Sequence, residues 1–195
     1  LCRVVETAIK AGATTINIPD TVGYTVPMEF GGIISQILNR VPNIDKAVLS
    51  VHCHNDLGMA TANSLTAVQM GARQIECCMN GLGERAGNAP LASVQAILKD
   101  QFNAQTDIDE SRLNEVSRMV ESYSGIPIPP NRPITGESVF TQVAGVHADG
   151  DNKANLYCND LLPERFGRKR EYALGKNSGK ANILKNLEEL GLELS

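Results

Sequence analysis

Hydrophobic and polar positions in the first hundred residues alternate between helical and strand spacings. Apolar residues three to four positions apart predict helices, and short apolar or β-branched runs predict buried strands. Such runs predict three strands, at residues 14–18, 47–51 and 74–79. Thr25 is placed to cap a helix that begins near Pro27. Asn55 or Asp56 is placed to cap a later helix that ends at Gly71.

A pattern of helix end, glycine and strand occurs twice, in residues 8–16 and in residues 67–75. Repeated units with apolar strands predict a parallel sheet, either a (β/α)8 barrel or a doubly wound layer. A complete barrel needs about eight strands and typically about 250 residues. We therefore predict an α/β fold in which residues 1–105 form the last three βα units of a partial (β/α)8 TIM barrel. The earlier strands are expected to lie outside this sequence.

The second half of the chain follows a different pattern. Residues 126–133 are rich in proline and cannot be helical. Residues 106–133 are therefore predicted to form a helix and a stiff connector, and residues 134–195 an appended, mostly helical subdomain. Asp107 and Glu110 have the spacing of a capping pair for the helix in the first of these segments.

The C-terminal segment contains one more amphipathic helix, for which Ser178 is placed as the N-cap. Its apolar residues are expected to face inward: Ile183, Leu184, Leu187 and Leu190. A basic cluster before this helix is expected to form a solvated face, and it consists of Arg165, Arg168, Lys169 and Arg170.

Composition narrows the classes of function. The net charge of −4 and the pI near 5.4 give no electrostatic footprint for nucleic acid or an anionic membrane. No apolar run approaches the roughly 20 residues of a membrane span. The five cysteines are odd in number and contain no C-x-x-C pair, which favours reduced thiols. We therefore expect a cytoplasmic protein without a nucleic-acid or membrane partner.

The motif His52-Cys53-His54 ends the second predicted strand. Side chains alternate along a strand, so His52 and His54 should point to one face and Cys53 to the other. Two imidazoles on one face can bind a divalent metal ion such as Zn, Mn or Fe. They can equally be a polar pair that is bonded to carboxylates or water.

Polar residues also follow the other predicted strands. Active sites of α/β barrels gather at the carboxyl ends of the strands, where loops that are distant in sequence must converge. The groups expected to converge are Asp20 and Thr21, His52 and His54, and Glu84 and Asn88. Beyond the connector, His147 lies between small residues and could be presented to a neighbouring active site, although a lone histidine is also typical of a surface loop.

Four ordered segments of the chain resemble motifs of the 2-isopropylmalate synthase family, to which homocitrate and citramalate synthases also belong. They are residues 18–23, 52–58, 80–88 and 145–150. The resemblance begins in the middle of the family's barrel and stops before the family's leucine-binding regulatory domain. The family's Asp-Arg-Glu motif on the first strand, which supplies a carboxylate ligand, is absent from this sequence.

The resemblance implies a metal site and a substrate site. His52 and His54 resemble the family's two imidazole ligands of a divalent metal, and Asn88 resembles a third, weaker or outer ligand. Thr21 resembles the residue that hydrogen-bonds the carboxylate of a 2-oxo acid.

The subdomain adds two residues on the same grounds. His147 resembles the histidine that enters the active site from the partner subunit of a domain-swapped dimer, and it is the candidate base. Tyr157 resembles a subdomain tyrosine near the same site. The resemblance thus implies a homodimer for the full-length protein.

The implied activity is that of an acyltransferase. Acetyl-CoA would condense with a 2-oxo acid, 2-oxoisovalerate giving 2-isopropylmalate in the first committed step of leucine biosynthesis. Mn²⁺, Mg²⁺ or Zn²⁺ would polarise the ketone. Because a carboxylate ligand is missing, we expect this chain alone to bind metal weakly and to be inactive. The alternatives are a homocitrate or citramalate synthase, a metal-dependent TIM-barrel hydrolase, or a structural fragment.

Overall fold

The chain folds as two units, residues 1–105 and residues 106–195. The computed structural model describes residues 1–146, 149–150 and 159–192. Each unit has buried apolar side chains of its own, such as Ile34 and Val51 in the first unit and Phe166 in the second. The separate role that we assign to residues 106–133 as a connector stays a prediction.

A parallel sheet forms the centre of the first unit. Its described strands are β1 (Thr15–Asp20), β2 (Val48–Cys53) and β3 (Gln74–Glu76), in the order β1-β2-β3. β1 continues through Pro19 and Asp20, two residues past its predicted end. Proline has no backbone N–H to donate. It is accepted in β1 because β1 is an edge strand of the described sheet and has a hydrogen-bonded neighbour on one side only. β3 ends three residues earlier than predicted.

Helices precede and follow the strands. They are α1 (Cys2–Lys10), α2 (Pro27–Arg40), α3 (Ala60–Met70) and α4 (Leu91–Phe102). The prediction that Thr25 caps α2 is wrong, because the N-cap is Val26 and the Thr25 hydroxyl donates to Asp20 instead. The prediction that Asn55 or Asp56 caps α3 is also wrong, because the N-cap is Met59. Oδ1 of Asn55 nevertheless accepts a hydrogen bond from the Ala60 N–H at 3.2 Å.

The two faces of the sheet differ in polarity. On one face, Ile18 and Val51 lie in register and belong to the same buried cluster as Phe30 and Ile34 of α2. On the other face, Pro19, His52 and Glu76 are in register across the three strands. The apolar face therefore packs against the helices, and the polar face carries the histidines.

The second unit has shorter described strands than the first. The regular elements of this unit that lie wholly within the described residues are α5 (Leu113–Ser124), the parallel strands β4 (Thr141–Gln142) and β5 (Glu171–Tyr172), and α6 (Lys180–Glu189). Short 3-10 turns precede α5 and β5, at Glu110–Arg112 and Pro163–Phe166. Among the residues described in either unit, no helix is long and apolar enough to cross a bilayer.

Two capping predictions in the second unit are wrong. Asp109, not Asp107, caps the turn before α5, since its carboxylate accepts hydrogen bonds from the N–H and the hydroxyl of Ser111 at 3.1 and 2.6 Å. Ser178 does not cap α6, because its hydroxyl donates to the carbonyl of Val143 at 2.9 Å. The N-cap of α6 is Gly179.

The predicted inward face of α6 is also wrong. Ile183, Leu184 and Leu190 are 47%, 41% and 72% exposed, and Leu187 is only partly buried. Asn182 is the buried residue of this helix, and its side chain bonds the carbonyl of Val143 at 3.2 Å. A polar anchor therefore replaces the expected apolar one.

Two arginines of the basic cluster are not solvated as expected. The Arg165 guanidinium binds the buried carboxylate of Glu110 with two hydrogen bonds of 2.8 and 2.7 Å. Arg168 donates to the carbonyl of Glu137 at 2.8 Å. Burial of Glu110 explains the position of Arg165, because a buried carboxylate needs a charged, bidentate partner.

Candidate metal centre

Two histidines lie side by side at the carboxyl end of β2. The Nε2 atoms of His52 and His54 are 3.2 Å apart, and the ring planes meet at 81° with centroids 4.9 Å apart. The prediction that both imidazoles lie on one face is therefore confirmed. Cys53, between them, is buried on the opposite face.

The spacing of the two Nε2 atoms fits ligands of one cation. With metal–nitrogen bonds of about 2.1 Å, a separation of 3.2 Å corresponds to an angle of roughly 100° at the metal. This angle lies between the tetrahedral and octahedral values. A single hydrogen bond between two neutral imidazoles would span a similar distance, so the spacing fits both interpretations of the pair.

Asn88 joins the histidines from the next loop. It pairs with His54 in an isolated antiparallel bridge, which places their Cα atoms about 4.5–5.5 Å apart. Its Nδ2 donates to the Leu82 carbonyl at 3.0 Å and approaches Cys78 Sγ at 3.3 Å. Its buried Oδ1 has no hydrogen-bond partner among the described residues. An amide oxygen that is held in place and left without a donor suits a hard cation.

Glu76 stands behind His52 on the polar face of the sheet. Its Oε2 lies 3.5 Å from Nδ1 of His52. The contact is not a hydrogen bond at this distance, and Nδ1 of His52 has no hydrogen-bond partner among the described residues. A carboxylate near the far nitrogen of a ligating histidine is the usual outer-shell partner that orients the ring. Sequence reasoning missed Glu76 because it belongs to another strand, and only the register of β2 with β3 places it beside His52.

The loop after β1 is built around the buried carboxylate of Asp20. Oδ2 of Asp20 accepts hydrogen bonds from the Thr25 hydroxyl at 2.6 Å and from Nδ2 of Asn63 at 3.3 Å. Oδ1 accepts from the Tyr24 N–H at 3.3 Å. Asp20 therefore fixes the course of its own loop against α3, and it shares a register position with Cys53 rather than with His52.

Thr21 lies exposed on that loop, one residue beyond the end of β1. Its carbonyl accepts a hydrogen bond of 2.7 Å from Arg85. Arg85 also pairs with Asp56, and this hydrogen bond holds the pKa of the Asp56 carboxyl below its usual value. Glu84 is exposed and lies 3.5 Å from the same guanidinium.

The structure thus brings together three of the predicted site residues, His52, His54 and Asn88, with Thr21 on an adjoining loop. The predicted His147 and Tyr157 lie outside the described residues. Among the residues that the structure does describe, no group of three histidine, cysteine or acidic side chains could hold a metal ion. The candidate ligands among the described residues are therefore two imidazoles and an amide.

Cys53 is not a fourth ligand of this set. Burial raises the pKa of its thiol to about 11, and a hydrogen bond from Ser64 only partly opposes the shift. Cys53 also lies on the apolar face of the sheet, opposite to the face that carries the two imidazoles.

The fold and the candidate site together are those of an α/β-barrel enzyme. A parallel α/β unit carries its histidines and a buried amide at the carboxyl ends of its strands, as α/β-barrel enzymes do. A family model described as HMGL-like matches residues 1–120, and one described as homocitrate synthase post-HMGL domain-like matches residues 134–195. The chain belongs to the HMGL-like family.

A curated relative agrees with this assignment. The chain is 52% identical over 200 residues to a 2-isopropylmalate synthase of Pasteurella multocida, with 100% of this chain and 39% of the relative covered. The chain thus spans about 39% of the length of that relative. The resemblance to the 2-isopropylmalate synthase family is confirmed.

Solved structures agree on the fold. The HMG-CoA lyase of Bacillus subtilis superposes with a TM-score of 0.58 at 26% identity, covering 66% of this chain and 44% of that one. An HMG-CoA lyase of Acinetobacter baumannii in complex with coenzyme A and 3-methylmalate gives 0.56 at 27% identity, covering 65% and 42%. The predicted fold class, a partial (β/α)8 barrel followed by a smaller part, is confirmed.

Proposed function

We propose that the full-length protein is an acyltransferase that condenses acetyl-CoA with a 2-oxo acid. The preferred reaction joins acetyl-CoA to 2-oxoisovalerate and gives 2-isopropylmalate, the first committed step of leucine biosynthesis. Support comes from the 52% identity to a 2-isopropylmalate synthase and from the solved lyase that holds coenzyme A. Homocitrate and citramalate synthesis are the alternatives within the family, because they need only a different 2-oxo acid.

One observation carries the proposal, namely the two Nε2 atoms that lie 3.2 Å apart at the carboxyl end of β2. In the proposal, His52, His54 and Asn88 hold a divalent ion, which is Mn²⁺, Mg²⁺ or Zn²⁺. When bound, such an ion polarises a ketone and so favours attack on its carbon. Glu76, whose Oε2 lies 3.5 Å from Nδ1 of His52, would orient this ring from the side away from the ion.

Thr21 and the subdomain residues complete the proposed site. Thr21 would hydrogen-bond the carboxylate of the 2-oxo acid from the loop after β1. His147 would accept a methyl proton of acetyl-CoA, directly or through water, so that the resulting enolate attacks the ketone carbon. Tyr157 is proposed near the same site. Hydrolysis of the thioester then releases coenzyme A.

Homodimer formation and a cytoplasmic location are part of the proposal. The homodimer follows from the family resemblance, in which the subdomain histidine is donated by the partner subunit. The described cysteines, Cys2, Cys53, Cys77 and Cys78, are free thiols, which suits a reducing compartment.

Calorimetric titration tests the proposal. The chain is titrated with Mn²⁺, and then with 2-oxoisovalerate in the presence and absence of Mn²⁺. We expect weak Mn²⁺ binding that strengthens when the oxo acid is present, because the two bind the same centre. Metal binding without such coupling would favour a hydrolase, and binding of neither would favour a structural fragment.

A matched pair of variants tests whether the measured heat of binding comes from the candidate metal centre. His52→Ala should abolish the coupled binding of metal and oxo acid. Asn17→Ala is the control, because Asn17 is an exposed residue on β1 in register with Ser50, on the same polar face. Equal losses in both variants would contradict the assignment of His52.

A further inference from the structure

Arg85 occupies an unusual place in the glycine-rich loop between β3 and α4. Its backbone has φ of +55°, a left-handed conformation that costs a non-glycine residue roughly 1–2 kcal/mol. Gly83 and Gly87 on either side also have positive φ values. The chain therefore accepts a strained arginine at a position where glycine would cost less, and the contacts of the arginine side chain can compensate for this cost.

The guanidinium of Arg85 joins two other loops. Its Nε and Nη2 donate to the two carboxylate oxygens of Asp56 at 2.7 and 3.1 Å. Nη2 also donates to the carbonyl of Thr21 at 2.7 Å. The remaining nitrogen, Nη1, lies 3.5 Å from the carboxylate of Glu84. All three nitrogens thus face oxygen atoms of the chain itself.

Each joined loop carries a candidate site residue. Thr21 itself follows β1, His54 lies two residues before Asp56, and Asn88 lies three residues after Arg85. Backbone hydrogen bonds run between the same loops, from the N–H of His54 to the Asp20 carbonyl at 3.2 Å among them. The Arg85 side chain adds the charged contact across all three loops.

Close packing at Asp56 makes this contact sensitive to position. A Cβ at Gly23 would lie 2.3 Å from Oδ2 of Asp56 and 2.7 Å from its backbone nitrogen. The loop after β1 therefore lies directly against Asp56, and no spare room exists to absorb a shift. A bidentate arginine fixes orientation as well as distance, which a lysine cannot do.

We propose that Arg85 is a positioning residue that holds the Thr21, His54 and Asn88 loops in their mutual arrangement, rather than a binding residue for the substrate carboxylate. An arginine close to a site for a 2-oxo acid is also a candidate for binding the substrate carboxylate. The contacts argue against it, because the donors of Arg85 are directed at Asp56 and Thr21. The inference deepens the proposed function. It rests on that function only for the identity of the bound species, a divalent ion and a 2-oxo acid.

A double-mutant cycle with Arg85→Gln and Asp56→Asn tests the proposal. The readouts are amide hydrogen exchange in residues 20–26 and 54–58, and Mn²⁺ affinity by calorimetry. We expect each single variant to speed exchange in both segments and to weaken Mn²⁺ binding about 10-fold or more, as losses of outer-shell partners do. The double variant should be no worse than either single one, because each removes the same contact.

Two further variants sharpen the result. Arg85→Lys keeps the charge and should not restore slow exchange, since it loses the bidentate geometry. Arg73→Gln is the matched control, because Arg73 also donates to a backbone carbonyl, that of Ala72 at 2.8 Å, but at the start of β3. Exchange of the β2 amides, followed in every variant, reports global unfolding separately from loop opening.

The outcomes are distinct. Unchanged exchange in Arg85→Gln, or equal effects of Arg73→Gln, would overturn the proposal. A variant Asp56→Asn with native exchange, together with an Arg85→Gln that weakens only 2-oxo acid binding, would identify Arg85 as a substrate-binding residue. Faster exchange without any binding of metal or oxo acid in the native chain would uphold the positioning role and reject the proposed function.

Discussion

Single side chains at the end of β2 behave according to the face of the sheet on which they lie. His52 and His54 share the polar face, where their Nε2 atoms are 3.2 Å apart. Cys53 lies on the apolar face and belongs to the buried cluster with Val51 and Phe30. Three consecutive residues thus have two separate environments, and only one of them offers ligands.

Cys53 gives a pH-dependent prediction at this scale. Burial raises the pKa of its thiol to about 11, above the value of about 8.5 for an unfolded cysteine. We expect Cys53 to resist alkylation in the folded chain at pH 9, where an unfolded cysteine reacts. Between these two pKa values the folded state binds more protons than the unfolded state, so the free energy of unfolding should fall as pH rises.

Mass spectrometry after timed alkylation measures this protection residue by residue. The same chain in denaturant is the control, in which Cys53 should react at the rate of an unhindered thiol. Rapid modification of Cys53 in the folded chain at pH 9 would show that the end of β2 opens readily or that the thiol is not buried.

Elements in the first unit are joined by loops that depend on a few backbone positions. Gly87 has φ of +84°, and a Cβ there would lie 2.0 Å from the carbonyl oxygen of Gly81. Gly58 has a similar φ of +73°, with no atom within 4 Å of its added Cβ. The two positions share the same backbone strain and differ only in close packing.

Gly87→Ala and Gly58→Ala therefore form a matched pair. We expect Gly58→Ala to lower the free energy of unfolding by about 1–2 kcal/mol, the cost of a left-handed alanine. Gly87→Ala should lose a further ~1–3 kcal/mol, because the added methyl group must displace backbone. Denaturant unfolding followed by circular dichroism compares the two, and equal losses would contradict the close approach of Gly81 and Gly87.

At the scale of the whole chain, the described sheet of the first unit has fewer strands than a closed barrel requires. The described sheet of the first unit contains three strands, and a barrel contains about eight. Its candidate metal ligands are two imidazoles and an amide. The family resemblance implies a further carboxylate ligand, which we do not find in this sequence. We therefore expect these 195 residues alone to be inactive.

Release of coenzyme A from acetyl-CoA and 2-oxoisovalerate tests this expectation. We expect the 195-residue chain to release none above background with Mn²⁺, Mg²⁺ or Zn²⁺. The Pasteurella multocida 2-isopropylmalate synthase, assayed alongside, controls for the reagents. Turnover by the chain alone would show that its own residues suffice for the reaction.

Much of the first unit could be predicted because its information is local. The alternation of apolar runs and helical spacings located all three strands and the intervening helices, and period-2 alternation placed His52 and His54 on one face. Cap assignments fared worse, since Thr25 and Asp107 have suitable side chains but Val26 and Asp109 occupy the cap positions. Competing acceptors nearby, such as Asp20 for Thr25, decide such cases.

By itself, the sequence determined the α/β pattern, the common face of the two histidines and the family, since each depends on neighbouring residues or on ordered motifs. Only the tertiary structure decided that Glu76 lies beside His52, that Arg85 joins Asp56 to Thr21, and that the apolar side of α6 is exposed. The partners in these contacts come from different strands and loops. Strand register and loop packing bring them together, and neither leaves a periodic signal along the chain.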